Sequence, residues 1–191
     1  MNIFKKSKLS DIKEYNLFTQ DNYILGKDET LTPKLTKIFG INYNVNVYYL
    51  KIKTPELNLE SSCININLPM NYRFKNNQQL LDVILLKMYT KIAENEIENL
   101  MEQARHEFGF APEDYFIEKM PGTLGHCNQD LQAITINPYI VMYPKEVIEY
   151  IVYHEFCHLK YRSHSKKFYS MLKGYIPNYL NIAKQIPNLK Y

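Results

Sequence analysis

His154-Glu155-Phe156-Cys157-His158 closes a run that begins at Pro144, and the reading of the chain turns on this stretch. In a helix, residues four apart stand one above the other, so His154 and His158 present their imidazoles on one face. Both can then bind a single zinc ion, while Glu155 sits beside the ion rather than on it. The neighbouring residues support a helix. Pro144 suits a first helical position, Glu146 favours the positive end, and Val147, Ile148, Ile151, Val152, Cys157 and Leu159 supply apolar positions. The spacing predicts a helix from Pro144 to Tyr161. Ser165 is placed to cap a following helix from Lys166 to Lys173, with Gly174 as its stop and Pro177 beyond.

The number of ligands separates the roles of such a site. A catalytic zinc takes three protein ligands and keeps a fourth position for water, whereas a structural zinc is closed by four. No Asp or Glu follows Glu155, which excludes a downstream acidic ligand, and His164, six residues past His158, is the downstream candidate. Metzincins use the same interval with a Gly midway, where this chain has Tyr161. Three of the five histidines fall within eleven residues, a clustering that separates signal from accident. The residues therefore predict one zinc ion per chain, held by His154, His158 and His164, with Glu155 as general base for a zinc-activated water. Two blander readings stand beside it: a surface helix with bystander histidines, and a closed structural zinc site. Cys157 lies about 100° round the helix from His158, points away from the metal, and reads as a small buried residue.

Elsewhere the pattern is mixed. Residues 1 to 40 are polar, with Gly26, Pro33 and Gly40 as breakers, and predict short helices and loops. Tyr43 to Thr54 reads as a strand that changes phase at Leu50 and Ile52, and Cys63 to Leu68 as a half-buried antiparallel strand with Asn65 and Asn67 facing out. From Asn77 to Phe108 the apolar spacing is helical, as one long helix or two in series. Tyr115 to Met120 and Leu131 to Asn137 are further strands, joined by a turn region containing Pro121, Gly122 and Gly125. The Leu131 to Asn137 strand is a candidate edge for an extended peptide, with an ordinary interior strand as the equal alternative. His126, Tyr161 and Tyr169 are candidates for donating a proton or holding an oxyanion.

A chain of 191 residues, 46% hydrophobic, can bury a substantial core as one domain. It lacks an apolar stretch of bilayer length, and Met1 to Lys6 lacks the apolar segment of a signal peptide, so the expectation is a cytoplasmic protein with no membrane partner. Cys63, Cys127 and Cys157 are odd in number and widely spaced, which fits a reducing compartment. Residues 156 to 191 carry seven basic and no acidic residues, against 16 basic and 20 acidic in the rest. Such a segment suggests proximity to nucleic acid or phosphate, with a solvated Lys-rich surface as the plainer reading.

The run from His154 to Phe168, with His164-Ser165 followed shortly by a Phe, resembles the YgjP-like metal-dependent hydrolases, relatives of the WLM and SprT-like zinc metallopeptidases. Gly125-His126-Cys127 is similar to that family's Trp-Gly-Ser-Cys segment, with Leu124 in place of the Trp and His126 in place of the Ser. Thr123 stands where an Arg is usual. The strand ending at Asn137, the Pro144 helix, and Ile176-Pro177-Asn178-Tyr179 extend the likeness over about the last hundred residues. The resemblance implies an α+β, zincin-like single domain, with an antiparallel or mixed sheet packed on the helix of the HExxH motif. In that reading, residues 1–75 form a β-rich N-terminal segment and residues 76–191 the metallopeptidase core. It implies zinc on His154, His158 and His164, Glu155 as base, and a peptide or protein substrate. A metal-dependent phosphohydrolase acting on nucleotides, or a non-catalytic zinc-containing binding module, are the alternatives. The oligomeric state is not legible.

Overall fold

A computed structural model describes residues 30–186 and shows an α+β chain with mixed sheets and four α-helices. Two compact units divide it. The first holds the described residues up to Thr36 and Tyr43–Leu81; the second holds Lys37–Asn42 and the chain from Asp82 onward.

β2 (Ile41–Leu50) and β4 (Cys63–Pro69) are central in a sheet whose edges are β1 (Leu35–Ile38) and β3 (Glu56–Leu59). Most of the expected loops and helices of residues 1–40 lie outside the described residues, and within them Leu35–Ile38 is a strand. The expected half-buried antiparallel strand at Cys63 is instead a central one. It runs parallel to β2, with Val45 opposite Ile64 and Val47 opposite Ile66, and antiparallel to β3. Asn65 misled the reading because amide pairing lets it stand between two neighbours, whereas Asn67 is buried with its Nδ2 unpartnered among the described residues. Asn46 Nδ2 donates to Asn65 Oδ1 (2.9 Å) and Asn65 Nδ2 to Glu60 Oε1 (2.8 Å). Asn67 is only 2% exposed. β2 ends at Leu50, where the phase of the expected strand changes.

Helix α1 (Gln78–Phe108) is one continuous helix that starts in the first unit and continues in the second. Next come β5 (Asp114–Ile117), β6 (Gly125–Asn128) and β7 (Ala133–Ile136), a sheet in the order β5-β7-β6 with β5 parallel and β6 antiparallel to β7. One sequence reading changes here: Gly125 opens a strand instead of belonging to a turn. Of the two alternatives for Leu131 to Asn137, the interior strand is the one found, at Ala133–Ile136, leaving β6 at the edge.

Helix α2 (Lys145–Lys160) begins after Pro144 and ends at Tyr161, whose N–H donates to Cys157 O (3.0 Å). It is buried on nearly all sides, as expected of a central helix. Helix α3 (Lys166–Tyr175) is capped by Ser165 and runs through Gly174 instead of stopping there. Ile176 N–H donates to Leu172 O (2.8 Å) and both side chains are buried, which offsets the roughly 1 kcal/mol cost of a helical glycine. The short helix α4 (Tyr179–Ala183) also packs on α2. At the far end of α1, Phe108 stacks on Tyr175 (3.9 Å between centroids) and meets Tyr153 (5.2 Å) and Phe156 (5.3 Å), joining α1, α2 and α3 through rings.

Asn137 fixes the loop that leads into β6. It is 4% exposed; its Nδ2 donates to Met120 O (2.7 Å) and Thr123 O (2.8 Å), and its Oδ1 accepts from Tyr139 N (3.2 Å). Asn137→Leu leaves those partners unsatisfied and should lower stability by about 3 kcal/mol, measured as a shift in the urea unfolding midpoint.

Candidate metal centre

Helical spacing brings His154 and His158 together as the sequence predicts, with 3.2 Å between their Nε2 atoms. The chain then leaves α2 at Tyr161, bends at Arg162 and Ser163, where Ser165 N–H donates to Ser163 O (2.7 Å), and carries His164 back over the same spot. His164 Nε2 lies 3.1 Å from that of His158 and 2.9 Å from that of His154. All three Nε2 atoms thus converge on one point, and the three residues can hold a metal ion.

Spacing and protonation both suit that use. For a tetrahedral ion bound at about 2.0–2.1 Å, as zinc is by imidazole, ligand nitrogens stand about 3.3 Å apart, close to the distances found here. His158 Nδ1 lies 2.9 Å from Tyr161 O, which can only accept, so the proton is on Nδ1 and the Nε2 lone pair is free to bind a cation. Burial, then the neighbouring His158 and His164, lowers the His154 pKa to about 3. Burial also lowers those of His158 and His164. The triad is therefore in the neutral, ligating form at neutral pH.

Glu155 is 6% exposed, and burial pushes its carboxyl up to about 8. It lies against β6: a Cβ added at Gly125 would stand 2.7 Å from Glu155 Oε1, 2.9 Å from its Cγ and 2.9 Å from Ile151 Cγ2. Gly125 is thus what allows the strand to pass so close to the helix. Cys127, next on that face of β6, is raised to about 12 by burial and by the Glu155 charge. A carboxyl in this setting binds a proton tightly, and a cation nearby would draw it back toward the carboxylate.

The triad and Glu155 open on a cavity of about 1010 Å³, walled by the Leu124–Cys127 segment, Tyr139, Tyr143, Tyr150 and Ile151. Of the side chains the sequence offered as oxyanion partners, His126 lines it; Tyr161 and Tyr169 do not. Tyr161 contributes its carbonyl to His158, and Tyr169 stacks on the His164 ring (5.9 Å). The sequence reading missed Tyr139, Tyr143 and Tyr150. Tyr150 was within reach, since it precedes His154 by one turn on the same face. Of the basic C-terminal segment, Arg162 lines the cavity and pairs with Asp130, while Lys160 lies over the Phe110 ring (4.2 Å). Lys190 lies outside the described residues. Among the described residues, no helix is long and apolar enough to cross a membrane.

An α+β chain that gathers three neutral imidazoles and a buried carboxyl in one cavity has the make-up of a metal-dependent hydrolase. The YgjP-like metallopeptidase domain matches residues 12–188, nearly the whole sequence. The chain belongs to the YgjP-like metallopeptidase family, and so, at family level, to the metal-dependent proteases. Among solved structures it is similar to the metallopeptidase zymogen of Pyrococcus abyssi abylysin, at 23% identity and a TM-score of 0.44, over 47% of this chain and 90% of that one. No curated protein matches it.

Proposed function

We propose that the protein is a zinc-dependent peptidase that holds one zinc ion on His154, His158 and His164 and uses Glu155 as its general base. The observation that carries this reading is the convergence of three Nε2 atoms at 2.9–3.2 Å beside a buried carboxyl. When bound, zinc supplies Lewis acidity, which acidifies a water and polarises the scissile carbonyl. Glu155 takes the water's proton and later delivers it to the departing amine nitrogen. Burial of the carboxyl favours the proton-holding half of that cycle, and the cation favours the proton-free half. The substrate lies along β6, the edge strand bordering the cavity, whose outer backbone groups can pair with a peptide of any sequence. His126 lines the cavity from the same strand and is our candidate for meeting the developing oxyanion.

Elemental analysis of protein purified without added metal tests the ligand set. The expected result is close to one zinc per chain, retained through dialysis; a chain that binds no zinc even after zinc is supplied would overturn the assignment.

Gly125→Ala tests the placement of the base. The added methyl must displace Glu155 and Ile151, atoms held within a packed wall. We expect a loss of about 1–3 kcal/mol in stability from overpacking, and a fall in kcat of about 100-fold, the cost of an ångström's displacement of a reacting group. Urea unfolding and steady-state peptide hydrolysis read the two effects separately.

A further inference from the structure

Phe168 is 0% exposed and lies in the first turn of α3, where its N–H donates to the Ser165 cap (3.4 Å). Its ring centroid is 4.8 Å from that of His154, 4.6 Å from His158 and 4.8 Å from His164. The imidazole centroids are 4.9, 4.9 and 4.8 Å from one another. Four rings thus occupy the corners of a nearly regular tetrahedron, with Phe168 on the axis of the histidine triangle. All three histidines line the cavity and Phe168 does not, so Phe168 covers the face of the triangle turned away from it.

The imidazoles differ in what else holds them. His158 is tied through Nδ1 to Tyr161 O. His154 Nδ1 is buried without a hydrogen-bond partner among the described residues, so the orientation of that ring rests on packing. Tyr150 touches it from one side (5.7 Å), and Phe168, edge to face at 69°, is the nearer aromatic contact. His164 sits on an exposed connection between helices, with Phe168 at 88° and Tyr169 stacked on it. A supporting ring that meets all three ligands can do for His154 and His164 what a second hydrogen bond does for His158.

We infer that Phe168 is a positioning residue for the metal site: an aromatic floor that fixes the imidazole rings and thereby sets how tightly, and in what geometry, the triad binds metal. The inference rests on the metal-ligand reading above. Losing a hydrogen-bonded partner of a metal ligand costs about 10–100-fold in metal affinity, and the loss of this ring is expected on the same scale.

The test uses the full-length chain and two readouts other than activity, zinc affinity by competition with a chelating dye and the visible absorption of the cobalt(II) form. Phe168→Leu keeps an apolar side chain but removes the ring; Phe168→Met replaces it if the leucine variant does not fold. Leu172→Ala, a buried truncation one turn further along α3, controls for loss of stability alone. We expect the Phe168 variant to bind zinc at least 10-fold more weakly and to shift the cobalt bands, with Leu172→Ala within twofold of the native chain in affinity. Native-like affinity and spectrum in a folded Phe168 variant would overturn the inference. So would equal weakening in Leu172→Ala, which would mean that Phe168 acts only through stability. Failure of the native chain itself to bind zinc would instead remove the ligand reading beneath it.

Discussion

Glu155→Gln is expected to keep the metal and lose the reaction. Glutamine has the shape of glutamate, and its neutral amide fits a site where burial already favours the uncharged carboxyl, so α2 and its packing should be unchanged. The amide cannot accept a proton from water or hand one to an amine. Turnover should therefore fall by about 10²–10⁴-fold, the range supplied by a positioned general base. The measurement is kcat on a peptide library beside metal content per chain and thermal midpoint. Full zinc, an unchanged midpoint and lost turnover assign the proton work to Glu155. Turnover within a few-fold of native would remove Glu155 from the mechanism. Running a nucleotide panel in parallel separates peptide cleavage from phosphate release, because a phosphohydrolase using the same triad would release phosphate and leave peptides intact.

Much of this site was legible because it is built from local periodicity. His154, Glu155 and His158 lie on one helix, where spacing along the chain converts directly into a shared face. His164 was legible for a different reason: no Asp or Glu follows Glu155, and His164 lies six residues past His158, just before the Ser165 cap, whose side chain does accept from Phe168 N. What the spacing could not carry was anything that depends on two segments meeting. Gly125 read as a turn residue, and its actual role, to let β6 pass against Glu155, exists only once strand and helix are packed. The same limit explains why Leu131 to Asn137 stayed open between edge and interior and why Gly125–Asn128 was not read as a strand. Leu131 to Asn137 has the stronger apolar pattern because it is interior, and an edge strand as short and polar as Gly125–Asn128 gives little signal of its own. In the first sheet, alternation at Cys63 to Leu68 was read as one wet face, but Asn46 and Asn65 satisfy each other across two central strands. Polarity at Asn65 marks a partner across the sheet rather than solvent, while Asn67 is buried with its Nδ2 unpartnered among the described residues.

His164→Ala should have the largest effect on the metal and one of the smallest on the fold. His164 is exposed on the connection between α2 and α3, and the elements on either side are secured without it, by Tyr161 N on Cys157 O (3.0 Å) and by the Ser165 cap. Removing its imidazole leaves two nitrogens, Nε2 of His154 and His158, and two ligands cannot hold an ion as three do. Zinc affinity should fall by more than about 100-fold, beyond what the loss of a supporting residue costs, while circular dichroism and the unfolding midpoint of the metal-free chain stay near native. His158→Ala is the informative contrast. It removes a ligand and also the Nδ1 contact with Tyr161 O, so it should loosen the end of α2 and lower stability by about 1 kcal/mol besides releasing the metal. The pair separates ligation from scaffolding. Stoichiometric zinc in folded His164→Ala would move the third ligand elsewhere, and with it the position left for water, on which the proton transfer assigned to Glu155 depends.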